Sequence, residues 1–485
     1  MKMSSYKERS MHRPNIILAM CDDLGYGDTG FNGSEIIHTP HLDRLCSEGV
    51  RFTRFHAGGP VCSPTRGTCL TGRHYIRYGI NNVGRGRLPA EEETLPERLR
   101  AAGYRTGHFG KWHVGSLSHD REPALETGRL VDRGSPPWER GYDHSLTTDN
   151  SVPLWNPTRA FVDGTGERPE SPWPQKQSYY RDGTPWPDPI PGCDSAFIVE
   201  HTLAFIADAV ARREPFFTTV WFHAPHSPVE AGPAYLARYR DRYGENAAHY
   251  YGCVTAMDEQ MGRLAVGLES LGVANDTMLW FCSDNGPEGG TGRPGQFRSH
   301  GSTGGLRGRK RSLYNGGITV PAFVRWPARL AGSRDCHVPA STLDYLPTLY
   351  DYLGLELPDR PLDGLSLAPM LTGPARRRPR PIPFRYLNSQ AKMFGSPTFA
   401  LIGDDCKFLS NLSADGAEEQ FFDPVADPYE RHNLIAERRQ QADVLREHLR
   451  NFLESCRHSH AGGDYPAGTT FDPQTPFQEP GCWAG

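Results

Sequence analysis

Three short apolar runs along the chain end in the same way. Residues 15–20 (NIILAM) stop at Cys21-Asp22-Asp23-Leu24-Gly25, residues 216–223 (FFTTVWFH) at Ala-Pro-His-Ser-Pro, and residues 277–282 (TMLWFC) at Ser283-Asp284-Asn285-Gly286. Continuous apolar runs of this length, bounded by turn formers, predict buried strands that each deliver polar side chains at the carboxyl end. Between the runs the period changes. In residues 249–273, Val254, Met257, Met261, Leu264, Leu268 and Leu271 recur in alternating steps of three and four, which predicts a helix with one apolar face. Residues 195–213 and 341–355 carry similar stripes, read as core packing.

Strands alternating with helices predict an α/β fold: a large, mostly parallel sheet sandwiched by helices. In such sheets ligands collect beyond the carboxyl ends of the strands, where the three polar clusters would converge. Residues 371–383, with Pro374, Arg376, Arg377, Arg378, Pro379, Arg380 and Pro381, read as a linker. It would lead into a smaller C-terminal α+β unit with a short antiparallel sheet and one helix near 436–455. The chain then divides into a tail (1–13), a main domain (14–375), a small subdomain (376–458) and a second tail (459–485). Residues 153–191 are rich in Pro, Trp, Gly and Tyr and lack periodicity. A loop of that length is either functional or hides a hairpin.

Composition narrows the function. The 485 residues leave room for one large α/β domain and a small one. No apolar run approaches the roughly 20 residues of a membrane helix, so no membrane partner is expected. Lys and Arg number 53 against 57 Asp and Glu, a net charge of −4, and nucleic-acid-binding signatures are missing; no nucleic-acid partner is expected. Eleven Cys form neither a disulfide framework nor a repeated CxxC metal pattern, and the odd count leaves at least one thiol without an intrachain partner. Residues 1–14 lack the apolar core of a secretory signal, which reads as cytoplasmic; a chain whose signal had been removed, periplasmic or secreted, reads the same.

Asp22, Asp23, Asp284 and Asn285 supply three carboxylates and an amide oxygen at two strand ends, a set that suits a hard cation such as Ca2+ or Mg2+. Lys111 and His113, two apart on an extended segment, would point to one face. Lys310 lies in Arg307-Gly308-Arg309-Lys310-Arg311, a run that by itself reads as a solvated charged loop. His226, between Pro225 and Pro228, reads as the functional one of the two, and His223 as a core histidine finishing a strand, kept as an outside candidate for that role.

The segment Cys62-Ser63-Pro64-Thr65-Arg66-Gly67, followed by Thr71-Gly72-Arg73, resembles the signature of the type I sulfatases. In that family this Cys is oxidised to formylglycine, whose hydrate is the nucleophile. Other segments resemble the family in its order: residues 15–27, His38-Thr39-Pro40-His41-Leu42-Asp43, Gly110-Lys111-Trp112-His113-Val114-Gly115, Ala224-Pro225-His226-Ser227-Pro228, Ser283-Asp284-Asn285-Gly286, residues 306–327, and FFDPVADPYERHNL at 421–434. The resemblance, from about residue 14 to 435, implies the alkaline-phosphatase-like fold and a sulfuric ester hydrolase.

It also implies roles. Asp22, Asp23, Asp284 and Asn285, with residue 62, would hold a divalent cation, Ca2+ in most relatives. Arg66 would hydrogen-bond the formylglycine hydrate, Lys111 and Lys310 would bind sulfate oxygens, His226 would protonate the leaving alcohol, and His113 would take the proton that frees sulfate. A formylglycine-generating enzyme would be a partner during maturation. Asn315 stands where relatives often have Glu, Thr319 where many have Arg, and Gly67 where Ala or Ser is common. Residues 140–151, where relatives place another sulfate-proximal polar group, leave Asn150 and Ser151 undecided.

The substrate expected is a sulfated carbohydrate or small ester. Trp138, Trp155, Trp173 and Trp186 would either stack on it or pack the long loop. Three other readings compete: a phosphate or phosphonate ester hydrolase of the same superfamily, a catalytically silent binding module, and a thiol hydrolase using unmodified Cys62, which gives the acidic cluster no role.

Overall fold

In the computed structural model, which describes residues 13–124, 128–158, 179–289, 297–330, 332–373, 377–387, 395–413 and 416–477, alternate side chains of the strand Asn15–Cys21 feed two different cores. Ile16, Leu18 and Met20 belong to one, and Ile17, Ala19 and Cys21 to the other. Thr277–Ser283 divides in the same way, Met278, Trp280 and Cys282 against Leu279 and Phe281. Side chains of a strand alternate faces, so a strand apolar throughout needs cover on both.

That strand lies inside a ten-stranded sheet. The spatial order is Arg334–Cys336, Val50–Phe52, Phe323–Arg325, Thr277–Ser283, Asn15–Cys21, Phe216–Trp221, Arg105–Lys111, His144–Thr148, Tyr180–Arg181, Thr184–Pro185. The five from Thr277–Ser283 to His144–Thr148 run parallel. Phe323–Arg325 and Tyr180–Arg181 join this block antiparallel on its two sides. The carboxyl ends of all three predicted strands therefore lie side by side.

Asp194–Arg212 and Glu245–Ser270 cover one face, the second burying Val254, Met257, Met261, Leu264 and Leu268. Cys62–Thr71, Leu95–Ala101 and Tyr345–Leu353 contribute Leu70, Leu95, Leu99, Leu346 and Leu349 to the other core. The long helix starts four residues before the expected 249, because its polar first turn carries no apolar signal. It ends before Gly272, whose φ of +71° breaks the helix. The 153–191 region does hold a hairpin, Tyr180–Arg181 with Thr184–Pro185, at the sheet edge; residues 159–178 lie outside the described residues.

The smaller C-terminal unit is an antiparallel sheet of Ile382–Arg385, Phe399–Ile402, Lys407–Ser410 and Gln420–Phe422, followed by the helix Arg439–His460. Two expectations about its borders need correction. The basic stretch before it is not a solvated linker throughout: Arg378 is buried, and its guanidinium grips the Asp344 carboxylate at 2.8 and 2.9 Å. Nor is the stretch after residue 459 a free tail. Asp464 pairs with Arg73, Tyr465 donates to Glu92 at 2.6 Å, and Thr475 donates to the Gly79 carbonyl at 2.8 Å. Removing Arg378 as alanine leaves Asp344 buried without its counter-ion, so a loss of about 3–5 kcal/mol is expected by urea denaturation. A loss below about 1 kcal/mol, the range of exposed pairs, would show that the pair does not anchor this junction.

Candidate active site

The ends of three adjacent parallel strands are stitched together by backbone hydrogen bonds. Asp22 N–H donates to the Ala224 carbonyl and Asp284 N–H to the Cys21 carbonyl, both at 3.0 Å. Asp23 takes a left-handed φ of +66°, a region Asp tolerates better than most residues, and its N–H donates to Asp284 Oδ1 at 3.2 Å. Asp22, Asp23, Asp284 and Asn285 thus meet in one buried cluster.

Cys62 is the first residue of the helix Cys62–Thr71, every residue of which is buried. The positive end of that helix faces the acidic cluster, a setting that favours anions. Cys62 Sγ lies 3.4 Å from Asp22 Oδ1 and 3.6 Å from Lys310 Nζ, and no imidazole among the described residues is hydrogen-bonded to it. Burial, together with Asp22 and Asp284, pushes its thiol well up, the opposite of the poise of a thiolate nucleophile. One turn along, Arg66 sets its guanidinium between two strand ends. Its Nε and Nη2 donate to Asp284 Oδ2 at 3.2 and 2.7 Å, and Nη1 donates to the Lys111 carbonyl at 3.1 Å. Its guanidinium also lies over the Trp221 ring. Arg66 is committed to holding Asp284 and the end of the neighbouring strand.

Lys111 closes the strand Arg105–Lys111, and its Nζ lies 2.5 Å from Asp22 Oδ2 and 3.3 Å from Ser151 Oγ. His113 does not continue an extended segment: its φ is +61°, so the expected same-face geometry fails. Its ring is buried, Nδ1 has no hydrogen-bond partner among the described residues, and burial with Lys111 and Arg66 holds it well below the usual histidine range. A neutral imidazole with an open nitrogen suits a proton acceptor. His226 Nδ1 lies 2.5 Å from the Ser227 carbonyl and 2.9 Å from Ser151 Oγ. A carbonyl only accepts, so Nδ1 carries the hydrogen, and Nε2, 3.7 Å from Asp23 Oδ2, is the nitrogen that exchanges protons.

The charged loop 307–311 is not solvated at its centre. Lys310 is buried, with Nζ 2.5 Å from Asp23 Oδ1, and Arg311 pairs with Glu288. Two glycines bring it there. A Cβ on Gly316 would lie 2.2 Å from the Gly308 carbonyl oxygen, and one on Gly317 2.1 Å from that of Ser312, so only glycine lets the loop fold onto this turn. Asn315 has a task of its own: its N–H donates to Glu430, and its Oδ1 accepts from Lys407 Nζ at 2.8 Å. The C-terminal unit therefore grips the turn that backs Lys310.

Three carboxylates (Asp22, Asp23, Asp284) face three fixed cations (Arg66, Lys111, Lys310) in a dry site. Burial works to raise Asp22, but Lys111, His226, Arg66 and Lys310 together hold it well below the usual carboxylate range. Asp284 is pushed up to about 6 by burial and by Asp22. Lys310 is raised by Asp23 and Cys62 against its own burial. Asp22, Asp23, Cys62 and His226 each bring a ligand atom within 4.8 Å of the others. Asn285 Oδ1 is buried without a hydrogen-bond partner among the described residues while its Nδ2 donates to Asp23 at 2.6 Å. An orphaned amide oxygen beside three carboxylates fits a hard divalent cation.

All ten sequence-derived site residues thus lie in this one cluster or line it. Ser151, left undecided by the sequence, touches both Lys111 and His226. Nothing in its spacing singles it out, because its partners come from two other strand ends. His223 is a fully buried, partnered histidine, as expected. Trp155 packs on Gly232, Trp186 on Phe197 and His201, and Trp138 against the core; Trp173 lies outside the described residues.

Comparison with known proteins agrees with this geometry. The Sulfatase family model matches residues 14–355, and the model for the C-terminal region of N-sulphoglucosamine sulphohydrolase matches residues 308–459. The chain is 34% identical to arylsulfatase A of Homo sapiens over 368 residues, covering 74% of this chain and 68% of that protein. It is 32% identical to N-acetylgalactosamine-6-sulfatase of Mus musculus, covering 76% and 68%. The solved structure of Ps i-CgsB in complex with k-i-k-neocarrahexaose shares the fold, with a TM-score of 0.73 over 95% of each chain at 22% identity. A family match across most of the chain, and relatives at this identity that carry sulfatase names, make this protein a member of the sulfatase family, hydrolases of sulfuric esters.

Proposed function

We propose that the protein hydrolyses the sulfate ester of a sulfated carbohydrate to alcohol and inorganic sulfate. The reading rests on Cys62 standing at a helix N-terminus between Asp22 and Lys310, with Lys111, His113 and His226 around it. Oxidised to formylglycine by a formylglycine-generating enzyme, residue 62 would supply an aldehyde hydrate as the nucleophile toward sulfur. Asp22, Asp23, Asp284, Asn285 and residue 62 would hold a divalent cation, Ca2+ by resemblance to the family, which would neutralise charge on the sulfate oxygens. Lys111 and Lys310 bind the remaining sulfate oxygens, where charge builds in the transition state. His226 Nε2 gives a proton to the leaving oxygen, and Ser151 and the Ser227 carbonyl fix its ring. His113 accepts the proton whose removal frees sulfate. Arg66 keeps Asp284 and the Lys111 strand end in register. A carbohydrate substrate is supported by the names of relatives, N-acetylgalactosamine-6-sulfatase among them, and by the neocarrahexaose complex of a protein with the same fold.

The test is the mass of the tryptic peptide 55–66 from active protein made in its native host. A mass matching aldehyde or its hydrate in place of thiol is expected. An unmodified thiol in a fully active preparation would overturn the nucleophile. Turnover of 4-nitrophenyl sulfate should exceed that of 4-nitrophenyl phosphate; a strong preference for phosphate would move the protein to the phosphoester reading.

A further inference from the structure

Directly behind His226 and Ser151 runs a polar chain that the proposed reaction does not use. Asp194 opens the helix Asp194–Arg212, and its carboxylate accepts from the Tyr179 hydroxyl at 2.5 Å and from His223 Nδ1 at 2.9 Å. His223 Nε2 lies 2.6 Å from Thr148 Oγ1, and Thr148 Oγ1 lies 2.7 Å from the Asn150 carbonyl. Asp194, His223 and Thr148 are 0%, 0% and 1% exposed. The chain touches the site through the backbone: the His223 carbonyl accepts the His226 N–H at 2.8 Å, and the Thr148 carbonyl accepts the Trp112 N–H at 3.0 Å, between Lys111 and His113.

Satisfying every one of these contacts at once places the hydrogens as follows. A carbonyl carries none, so the short contact with Asn150 takes the one hydroxyl hydrogen of Thr148. Thr148 Oγ1 then offers His223 only lone pairs, and Nε2 must donate. On the other side, Tyr179 donates to Asp194 Oδ1, and the contact between Asp194 Oδ2 and His223 Nδ1 needs a hydrogen of its own. The pair therefore holds one proton more than a neutral imidazole beside a carboxylate. Imidazole is more basic than an Asp carboxylate by roughly 2.6 pH units in water, so the ring carries it. Among the described residues, His108 also faces His223, and the Tyr179 hydroxyl lies 3.5 Å from its Nδ1.

We propose that His223 carries a hydrogen on each ring nitrogen, toward Asp194 and Thr148, and that this buried pair positions the 148–151 turn and the 223–226 segment, hence Ser151 and His226. The inference rests on the sulfatase reading for His226, and Asp194, His223 and Thr148 are positioning residues that touch no substrate. Proton and turn are coupled: with a neutral ring the Thr148 hydroxyl would swing to Nε2, release the Asn150 carbonyl and loosen the turn that carries Ser151.

Neutron diffraction from deuterium-exchanged crystals of the wild-type protein at neutral pH tests the hydrogen placement without any variant. Deuterium is expected on both ring nitrogens of His223 and on Thr148 Oγ1 toward Asn150; a bare ring nitrogen overturns the proposal. For the positioning role, Asp194→Asn should lower kcat for 4-nitrophenyl sulfate by about 10- to 100-fold, as loss of an orienting partner does elsewhere, with KM nearly unchanged, and Asp194→Glu should restore most of it. Unchanged kcat in a folded Asp194→Asn, or equal losses in the Asn and Glu variants, would overturn that role. If the wild-type protein leaves sulfate esters intact while His223 carries both deuterons, the reaction reading fails and the buried pair stands.

Discussion

Cys62→Ala is expected to lower sulfate-ester turnover by at least about 10⁴-fold, the scale seen when a nucleophile is removed, while the fold survives. The side chain is 1% exposed and, among the described residues, makes two polar contacts, with Asp22 and Lys310. Alanine starts the helix as well as cysteine does and deletes a single heavy atom. The thermal midpoint should move by only a few degrees, and Asp22, Asp23, Asp284 and Asn285 should still bind metal, more weakly. Turnover above a few per cent of wild type, in protein free of wild-type contamination, would remove residue 62 from the nucleophile's role.

Asp284→Ala should act differently, losing metal, activity and stability together. Its carboxylate takes two N–H bonds from Arg66 and one from the Asp23 backbone. Without it the buried Arg66 guanidinium retains Asp22 at 3.4 Å and the Lys111 carbonyl. Breaking a buried pair by removing one partner costs about 3–5 kcal/mol. Asp284→Asn keeps the shape and an acceptor for Asp23, so it separates the loss of charge from the loss of packing. Metal content, measured by plasma emission spectrometry on dialysed protein, should fall to background in both variants. Unchanged metal content would take Asp284 out of the ligand set.

The features legible in the sequence are those written in short segments. Apolar runs marked the three parallel strands, because a strand covered on both faces buries every position and leaves room for few polar ones, such as Thr218 and Thr219. The polar residues after each run marked the site, because parallel strands deliver their carboxyl ends to one edge. Cys62 and its neighbours needed a family resemblance; no spacing rule leads from a cysteine to an aldehyde.

The remainder depends on distant parts of the chain. Ser151 acquires meaning only from Lys111 and His226, which approach it from two other strands. The burial of Lys310 within five basic or glycine residues depends on Asp23, 287 positions earlier, and on the glycine turn beneath it. The partner of the Arg66 fork was equally out of reach: Asp284 lies 218 positions away. His113 illustrates a different limit: a sequence pattern gives spacing, and one left-handed residue is enough to change the face.

The last-made residues of the described chain close over three of the early ones. Arg73 is paired with Asp464, 391 positions later, Arg77 with Ser459, 382 later, and Asn81 with Thr475, 394 later. At about 5–20 residues per second of synthesis, that interval lasts roughly 20–80 s. Throughout it the stretch that follows Cys62 lacks its final cover, whereas in the finished fold the thiol is sealed from solvent. On the formylglycine reading proposed above, a maturation enzyme would have that interval in which Arg73, Arg77 and Asn81 still lack their late partners.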